Sequence, residues 1–430
     1  MFSLYLEDLE LFLQDNINSG LTIDDIVLIL LLFADDMIIL GDSLENIQSS
    51  LNRLSIYCNK WSLEVNSSKT KVMVFRKRGR IFENERFTYN DTLIEVVDDF
   101  NYLGTVFNYT GAFVHNHEHI VGKALKALNV LLINCKKVKI KPKLQCQLFD
   151  SFVGSILGYA SEIWGYGKSK EIERVHLKFC KSILKVRTST STMGVYGELG
   201  RYPLYITRYL RILKYWIKLL NTENIILKYV YKMCLEECNN GKNNWLYNVK
   251  DLLVKNGFAY IWDQQNIMNV NVFINAFQQR LLDNFYQCWY SEKENSAVLE
   301  LYNNVKVSFG YEQYLDFVPF DLRTYITKIR LSAHSLHIQT GRYTRNRLPR
   351  NERYCLFCRN SDIEDEFHFI IKCPCYSALR SKYIKIHYYI RPSMLKFIEM
   401  LQTDDKKIIL NLSKYLKSAF ALRFNLSHNT

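Results

Sequence analysis

Two sets of side chains in this sequence have the types and the spacing for metal chemistry. The first is Asp35 and Asp36, adjacent, between two aliphatic runs in IVLILLLFADDMIIL, residues 26–40. Each run has the length of a strand, and together they read as a β-hairpin with both carboxylates at its tip. Desolvating two neighbouring acids is costly unless cations neutralise them. A pair of Mg²⁺ ions about 3.5–4 Å apart, clamping the attacking and leaving oxygens of a phosphoryl transfer, has that need. A polar turn between two buried strands fits the same letters, because Asp is a common turn residue. A membrane span does not fit: the stretch has roughly 15 residues where about 20 are required, with two acids at its centre.

The second set is Cys355, Cys358, His368 and Cys373. A C-x₂-C pair followed by a His and a Cys supplies a tetrahedral Cys₃His set, the donor type of a closed structural Zn²⁺ site. Acidic residues between Asp362 and His368 open a short helix that turns His368 back toward the pair. Cys375 is a spare thiol able to replace Cys373. The N-terminus, MFSLYLEDLE, has no basic segment ahead of an apolar one, so nothing directs the chain to secretion. An intracellular setting, nucleus or cytoplasm, is expected, and reducing conditions favour metal ligation over a disulfide.

The charge of the chain points to a polyanionic partner. Its 430 residues carry a net charge of +13, and 48% are hydrophobic, which makes the chain globular and long enough for several domains. Residues 1–45 contain ten acids and no Lys or Arg, so the basic excess lies downstream. A run at Arg76-Lys77-Arg78-Gly79-Arg80 reads as a basic loop. From Lys123 to Arg187 fourteen Lys and Arg stand against four acids. Within that span Arg174, Lys178, Lys181 and Lys185 form a stripe opposite the apolar Ile172, Val175, Phe179 and Ile183 of one helix. A charged face is ordinary, but a face of one sign suits a phosphate backbone. Between Lys328 and Tyr354 seven cations, among them Arg342, Arg345 and Arg347, meet the single acid Glu352. His334, His337, Tyr343 and Tyr354 are interleaved with them. Arg for phosphates and rings for bases make a nucleic-acid-binding composition, though a basic linker has similar letters.

The elements that must position these groups are legible in outline. Met1–Asn16 is an amphipathic start, with Leu4, Leu9 and Phe12 on one face. Ser43, with Glu45 in the first turn, caps a helix carrying Leu51, Leu54, Cys58 and Trp61 at helical spacing. Residues 63–65 and 71–75 read as two short strands around a turn at 66–69. Residues 100–107 read as a hairpin that turns at Gly104. Helical stripes follow, one with Ile120, Ala124, Leu128 and Leu131, another with Leu144, Leu148, Phe152 and Ile156. Residues 214–314 are helical without a chemical motif, and Cys234 and Cys238 read as core thiols. Residues 377–430 read as further helices, broken near Pro392.

Taken in order, these stretches resemble one family. Phe33-Ala34-Asp35-Asp36 after an aliphatic strand resembles the third catalytic motif of reverse transcriptases of non-LTR, LINE-type or jockey-like retrotransposons. LNRLSIYCNKWSLEVNSSKTKVMVF, NYLG, a basic helical stretch and the terminal Cys/His cluster follow in the family's order. The resemblance implies an α+β N-terminal half-palm (β-hairpin plus helix) over 1–110. It implies a mostly α thumb over 111–220 and a helical connector over 221–320. A basic segment with a small C-terminal zinc knuckle over 321–376 and helices over 377–430 complete it. It implies an RNA template, a DNA primer and Mg²⁺ held by Asp35 and Asp36. Asn66, Lys69 and Thr70 match the fourth motif, which would place Lys69 near the incoming triphosphate, to neutralise charge or donate a proton. The family's first catalytic Asp and its Ser-Pro turn lie on segments that do not precede the hairpin here. The expectation is an incomplete site and a chain without templated polymerase activity on its own, or a nucleic-acid-binding retroelement product without chemistry.

Overall fold

The computed structural model describes residues 6–14, 20–23, 25–76, 86–358 and 360–428. Leu4 and most of the basic run after Arg76 lie outside them. Their contacts divide the chain into two compact units, one of residues 1–122, 160–166 and 208–277, the other of 123–159, 167–207 and 278–430.

In the first unit the aliphatic stretch makes two antiparallel pairs. β1 (Leu21–Ile23) pairs with β2 (Ile26–Leu28), and β3 (Leu30–Phe33) pairs with β4 (Asp36–Ile39). The expected first arm of the hairpin is thus divided at Ile29. Leu28, Ile29 and Leu30 are all buried in succession, which no evenly alternating strand allows. The break turns Ile29 into the core and leaves Leu31, Leu32 and Phe33 largely exposed. Phe33 faces Asp36 across the β3–β4 ladder, so Ala34 and Asp35 form a two-residue turn, Ala34 at φ 53°.

The helix Leu44–Trp61 starts where its cap predicts, with Ser43 accepting a hydrogen bond from the Asn46 amide. Its buried face, Leu51, Leu54, Tyr57 and Cys58, meets Leu9 and Leu13 of the helix Leu9–Gln14 and also Ile29, Phe87 and Ile94. The Tyr57 hydroxyl donates to Asp8 across this core (2.5 Å). β5 is shorter than expected (Lys71–Val72), and residues 63–65 form no strand. β5 runs parallel to β7 (Thr92–Val96), whose other edge takes β6 (Phe87–Tyr89), and 63–65 join neither edge of this sheet. β8 (Asp99–Tyr102) and β9 (Thr105–Asn108) form the hairpin expected over 100–107. Leu103 and Gly104 both have positive φ (46° and 83°), the pattern of a type I′ turn that matches the twist of paired strands. The remainder of this unit includes the helices Ile225–Asn239 and Trp245–Lys255, with Cys238 buried and Cys234 half-buried as core thiols.

Ile120, Ala124, Leu128 and Leu131 are buried along the helix Val114–Val138, as their spacing predicts.

The second unit is helical. In the helix Lys170–Leu184 the predicted stripe of Ile172, Val175, Phe179 and Ile183 is buried throughout. The stripe predicted from Leu144 to Ile156 is not the buried one. Leu144 and Phe152 are exposed, while Cys146, Phe149, Val153 and Leu157 are inside. Both faces of this segment are apolar, and packing against Phe179, stacked on Phe149 with ring centroids 4.2 Å apart, selects between them. A π-turn over Asp150–Gly154 then carries the buried stripe through. Gly197, in the helix Thr192–Leu199, is required by close approach: a Cβ there would lie 2.7 Å from the Trp289 indole nitrogen and 2.6 Å from the Tyr302 hydroxyl. Beside it Glu198 is fully buried and bound by Arg330 (2.7 Å) and the Tyr314 hydroxyl (2.6 Å). Strands in the first hundred residues, then helices, then a Cys/His cluster: the expected palm, thumb and zinc-knuckle order is the observed one.

Candidate functional site

The Cys/His cluster is built from one contiguous segment. Cys355 follows a short antiparallel bridge between Tyr354 and Ile363, and its amide donates to the Asp362 carbonyl (2.8 Å). That bridge closes the knuckle and places Cys355 and Cys358 on one side. His368 opens a π-turn, His368–Lys372, whose start is fixed by Asp365 accepting from the His368 amide (2.7 Å). Phe369, Ile370 and Ile371 anchor this turn in the core, and Cys373 leaves it directly. All four candidate ligands are buried, and their donor atoms lie within 4.8 Å of one another. A tetrahedron with Zn–S bonds of about 2.3 Å sets donors about 3.8 Å apart, so a small contraction suffices. His368 Nε2 lies 3.4 Å from the Cys358 sulfur, and Nδ1 lies 3.4 Å from an Asp362 carboxylate oxygen. The approach to Asp362 is not a hydrogen bond, and Nδ1 is buried without a hydrogen-bond partner among the described residues. Cys375 stands apart, its thiol donating to the Phe357 carbonyl, so the spare is not in the set.

Hydrogen bonding to Cys373 holds the Cys355 thiol down, and Cys373 is pushed up by the same contact and by burial. Burial also raises Cys358. A soft divalent metal would displace the protons that Cys358 and Cys373 keep. A residue invisible in the sequence holds the cluster to the rest of its unit. Glu364, 1% exposed at its side chain, takes a bidentate Arg423 (2.8 Å to each oxygen) and the His337 amide (2.6 Å). The partners lie 59 and 27 positions away, a separation that carries no local pattern.

Asp35 and Asp36 sit at the β3–β4 tip, both exposed. Burial and then the Asp36 charge push up the hydroxyl of Tyr102, at the end of β8. Lys69 is exposed in a turn organised by Asn66, whose carbonyl accepts from the Lys69 and Thr70 amides. Among the described residues the Cys/His cluster is the sole group of three or more metal-ligating side chains gathered closely.

The cations divide by role. Arg174 and Lys178 are exposed, and neither has an ion pair among the described residues. Lys181 donates to the Thr188 carbonyl (2.5 Å), and burial lowers its pKa. Lys185 ends the helix at φ 55° with its ammonium over the Phe320 ring. In the 328–354 segment Arg345 and Arg347 are exposed, and Arg342 donates to the Ala297 carbonyl (2.8 Å). Arg330 and Arg353 are buried, bound to Glu198 and to the Ile338 and Leu348 carbonyls. These two belong to the core, so the composition overstates the basic surface there. His334 likewise is buried on Glu366 (2.7 Å).

Residues 1–107 match the family model for reverse transcriptase (RNA-dependent DNA polymerase). A transposon-derived protein of Caenorhabditis elegans is 28% identical over 149 residues, 34% of this chain and 51% of that protein. The chain thus spans about half the length of the curated relative it matches. The similarity to reverse transcriptases is confined to the first quarter of the chain, and that to the transposon-derived protein to a third of it. No helix among the described residues is long and apolar enough to cross a membrane.

Proposed function

We propose that this chain carries the metal-binding hairpin, thumb and zinc module of a non-LTR, jockey-like retrotransposon reverse transcriptase, an RNA-directed DNA polymerase. The observation that carries the reading is the β3–β4 tip: adjacent exposed carboxylates, Asp35 in the two-residue turn and Asp36 opening β4, inside the segment that matches the family. Asp35 and Asp36 would hold Mg²⁺, which would supply charge neutralisation for nucleotidyl transfer. Lys69, free in its turn, faces the incoming triphosphate. Arg174 and Lys178, with Arg345 and Arg347, bind the backbone of an RNA template and DNA primer. Residues 111–220 form the thumb, 221–320 the connector and 321–376 the basic segment with its zinc module. Cys355, Cys358, His368 and Cys373 hold a structural Zn²⁺.

A second reading, a zinc-containing nucleic-acid-binding protein without chemistry, is favoured by one fact. No third carboxylate gathers with Asp35 and Asp36 among the described residues, and a two-ion site normally uses one. One experiment addresses both. The purified chain is titrated with an RNA template annealed to a DNA primer over a range of salt, then supplied with Mg²⁺ and deoxynucleotides. Binding without extension is expected. Replacing Arg174 and Lys178 by Gln should reduce the salt slope by about 2, one for each lost phosphate contact. An unchanged slope removes the backbone-tracking role, and Mg²⁺-dependent extension removes the second reading.

A further inference from the structure

A cavity of about 560 Å³ in the second unit is not used by any role assigned so far. Two helices, the turn after a third and the segment 333–335 build it. The helix Phe320–Arg330 contributes Tyr325 and Lys328, and the turn after the helix Lys170–Leu184 contributes Lys185 and Arg187. The helix Lys406–His428 contributes Phe420 and Phe424. Its volume falls in the usual range of ligand pockets, about 300–1,000 Å³. The chemistry of its walls is two-sided. Tyr325 and Phe420 stack with centroids 5.9 Å apart and planes 25° apart, and Phe424 stands 62% exposed beside them. The rim carries Lys185, Arg187 and Lys328, and no Asp or Glu lines the cavity. Arg423 is already neutralised by Glu364, but Lys328 and Arg187 have no ion pair among the described residues.

We propose that this pocket receives an unpaired nucleotide of single-stranded nucleic acid, its base against Phe424 and its flanking phosphates on Lys328, Lys185 and Arg187. The inference rests on the nucleic-acid-binding reading above and adds a site and a strand preference to it. The Phe424 ring already lies against His428, centroids 4.1 Å apart, and a base face would cover the part that is still exposed. Base–aromatic stacking accepts any base, and cations on one side track the backbone. A duplex cannot enter, since its bases are already stacked. The helix stripe of Arg174 and Lys178 has no rings interleaved and suits a duplex backbone. The pocket combines both features in one cavity. Lys185 and Lys328 bring charge from two different helices to that single rim.

The test uses the full chain and a short single-stranded DNA oligonucleotide carrying one 2-aminopurine, with a blunt duplex of the same sequence alongside. Phe424→Ala and Lys328→Gln are both surface changes, and thermal unfolding checks that each remains folded. Phe424→Ala should weaken single-strand binding about tenfold, the range of one lost stack, and restore the 2-aminopurine fluorescence that binding quenches. Lys328→Gln should lower the salt slope by about 1 while leaving the quench in place. Duplex affinity should change by less than about twofold for both. Wild-type binding that neither variant alters overturns the pocket and leaves the nucleic-acid reading intact. So do equal losses on duplex and single strand. Tight binding of adenosine monophosphate alone, without preference for the oligonucleotide, assigns the cavity to free nucleotides and overturns the proposal as stated. A wild-type chain that binds neither strand form at low salt overturns both readings.

Discussion

The hairpin tip and the Cys/His cluster each bring candidate metal ligands together, and they are built in opposite ways. At the tip two carboxylates face solvent, Asp35 in the turn and Asp36 opening β4, and the strands leave Leu31, Leu32 and Phe33 exposed. At the cluster four candidate ligands are buried, their spacing fixed by a bridge and a π-turn. A site drawn from one short stretch brings its own frame and is complete in itself. A site made of adjacent acids borrows its remaining ligands and its neutralisation from elsewhere. The difference predicts opposite responses to substitution: loss of structure at one site, loss of ion binding alone at the other.

The largest effect belongs to the cluster. Cys358→Ser or Cys373→Ser should release one zinc per chain, read by elemental analysis, and expose residues 331–428 to protease. Structural zinc in isolated finger peptides binds with about 10–16 kcal/mol, and that binding energy is folding energy. Stoichiometric zinc retained by Cys373→Ser breaks the assignment, because Cys375 would then be serving as the fourth ligand.

Next in size is the tie between the cluster and the C-terminal helix. Arg423→Ala leaves Glu364 buried with its charge uncompensated, which costs about 3–5 kcal/mol. Pairing it with Glu364→Gln should recover much of that loss in urea unfolding. A loss below about 1 kcal/mol in the single variant means that this ion pair does not hold the cluster in place.

At the hairpin tip the expected change is in binding, not in stability. Asp36→Asn should alter thermal stability by no more than about 0.5 kcal/mol, as for an exposed site with no buried partner. It should weaken Mn²⁺ binding, measured by paramagnetic relaxation. It should also let the Tyr102 hydroxyl ionise at lower pH, because the carboxylate that opposes the phenolate is gone. A Tyr102 titration that does not move separates the two hairpins and weakens the case for a joint site.

Local patterns made much of this legible. The Cys/His set needs only nineteen consecutive residues, Cys355 to Cys373, so its spacing announces it. Ser43, the Ile172–Ile183 stripe and Gly104 each act through near neighbours, and each is where its type predicts. Three things were out of reach for one physical reason, the choice among distant partners. Leu144 and Phe152 form a stripe as good as Cys146, Phe149 and Val153, and only Phe179 decides between them. Residues 63–65 have strand letters but pair with no strand among the described residues. Arg330 and Arg353 read as surface cations until Glu198, Ile338 and Leu348 bury them.

The smallest expected effect tests the second hairpin of the comparison. Asp99 opens β8, accepts from Asn108 Nδ2 (2.9 Å) and meets His115 Nδ1 (2.8 Å). Burial alone would raise its carboxyl, but the Asn108 and His115 hydrogen bonds and the imidazolium charge overcome it and hold the pKa low. A carboxyl depressed in the native state stabilises it above the unfolded value of about 3.9, and that contribution disappears as pH falls through the native value. His115→Ala removes one of the lowering contacts, so Asp99 should titrate nearer its ordinary value and the hairpin should loosen at slightly higher pH. Both groups are substantially exposed, so salt screens the effect and it stays small. Carboxyl titration by NMR reads it directly. An Asp99 that titrates the same in both proteins shows that the 99–108 hairpin is held by its backbone ladder and turn alone.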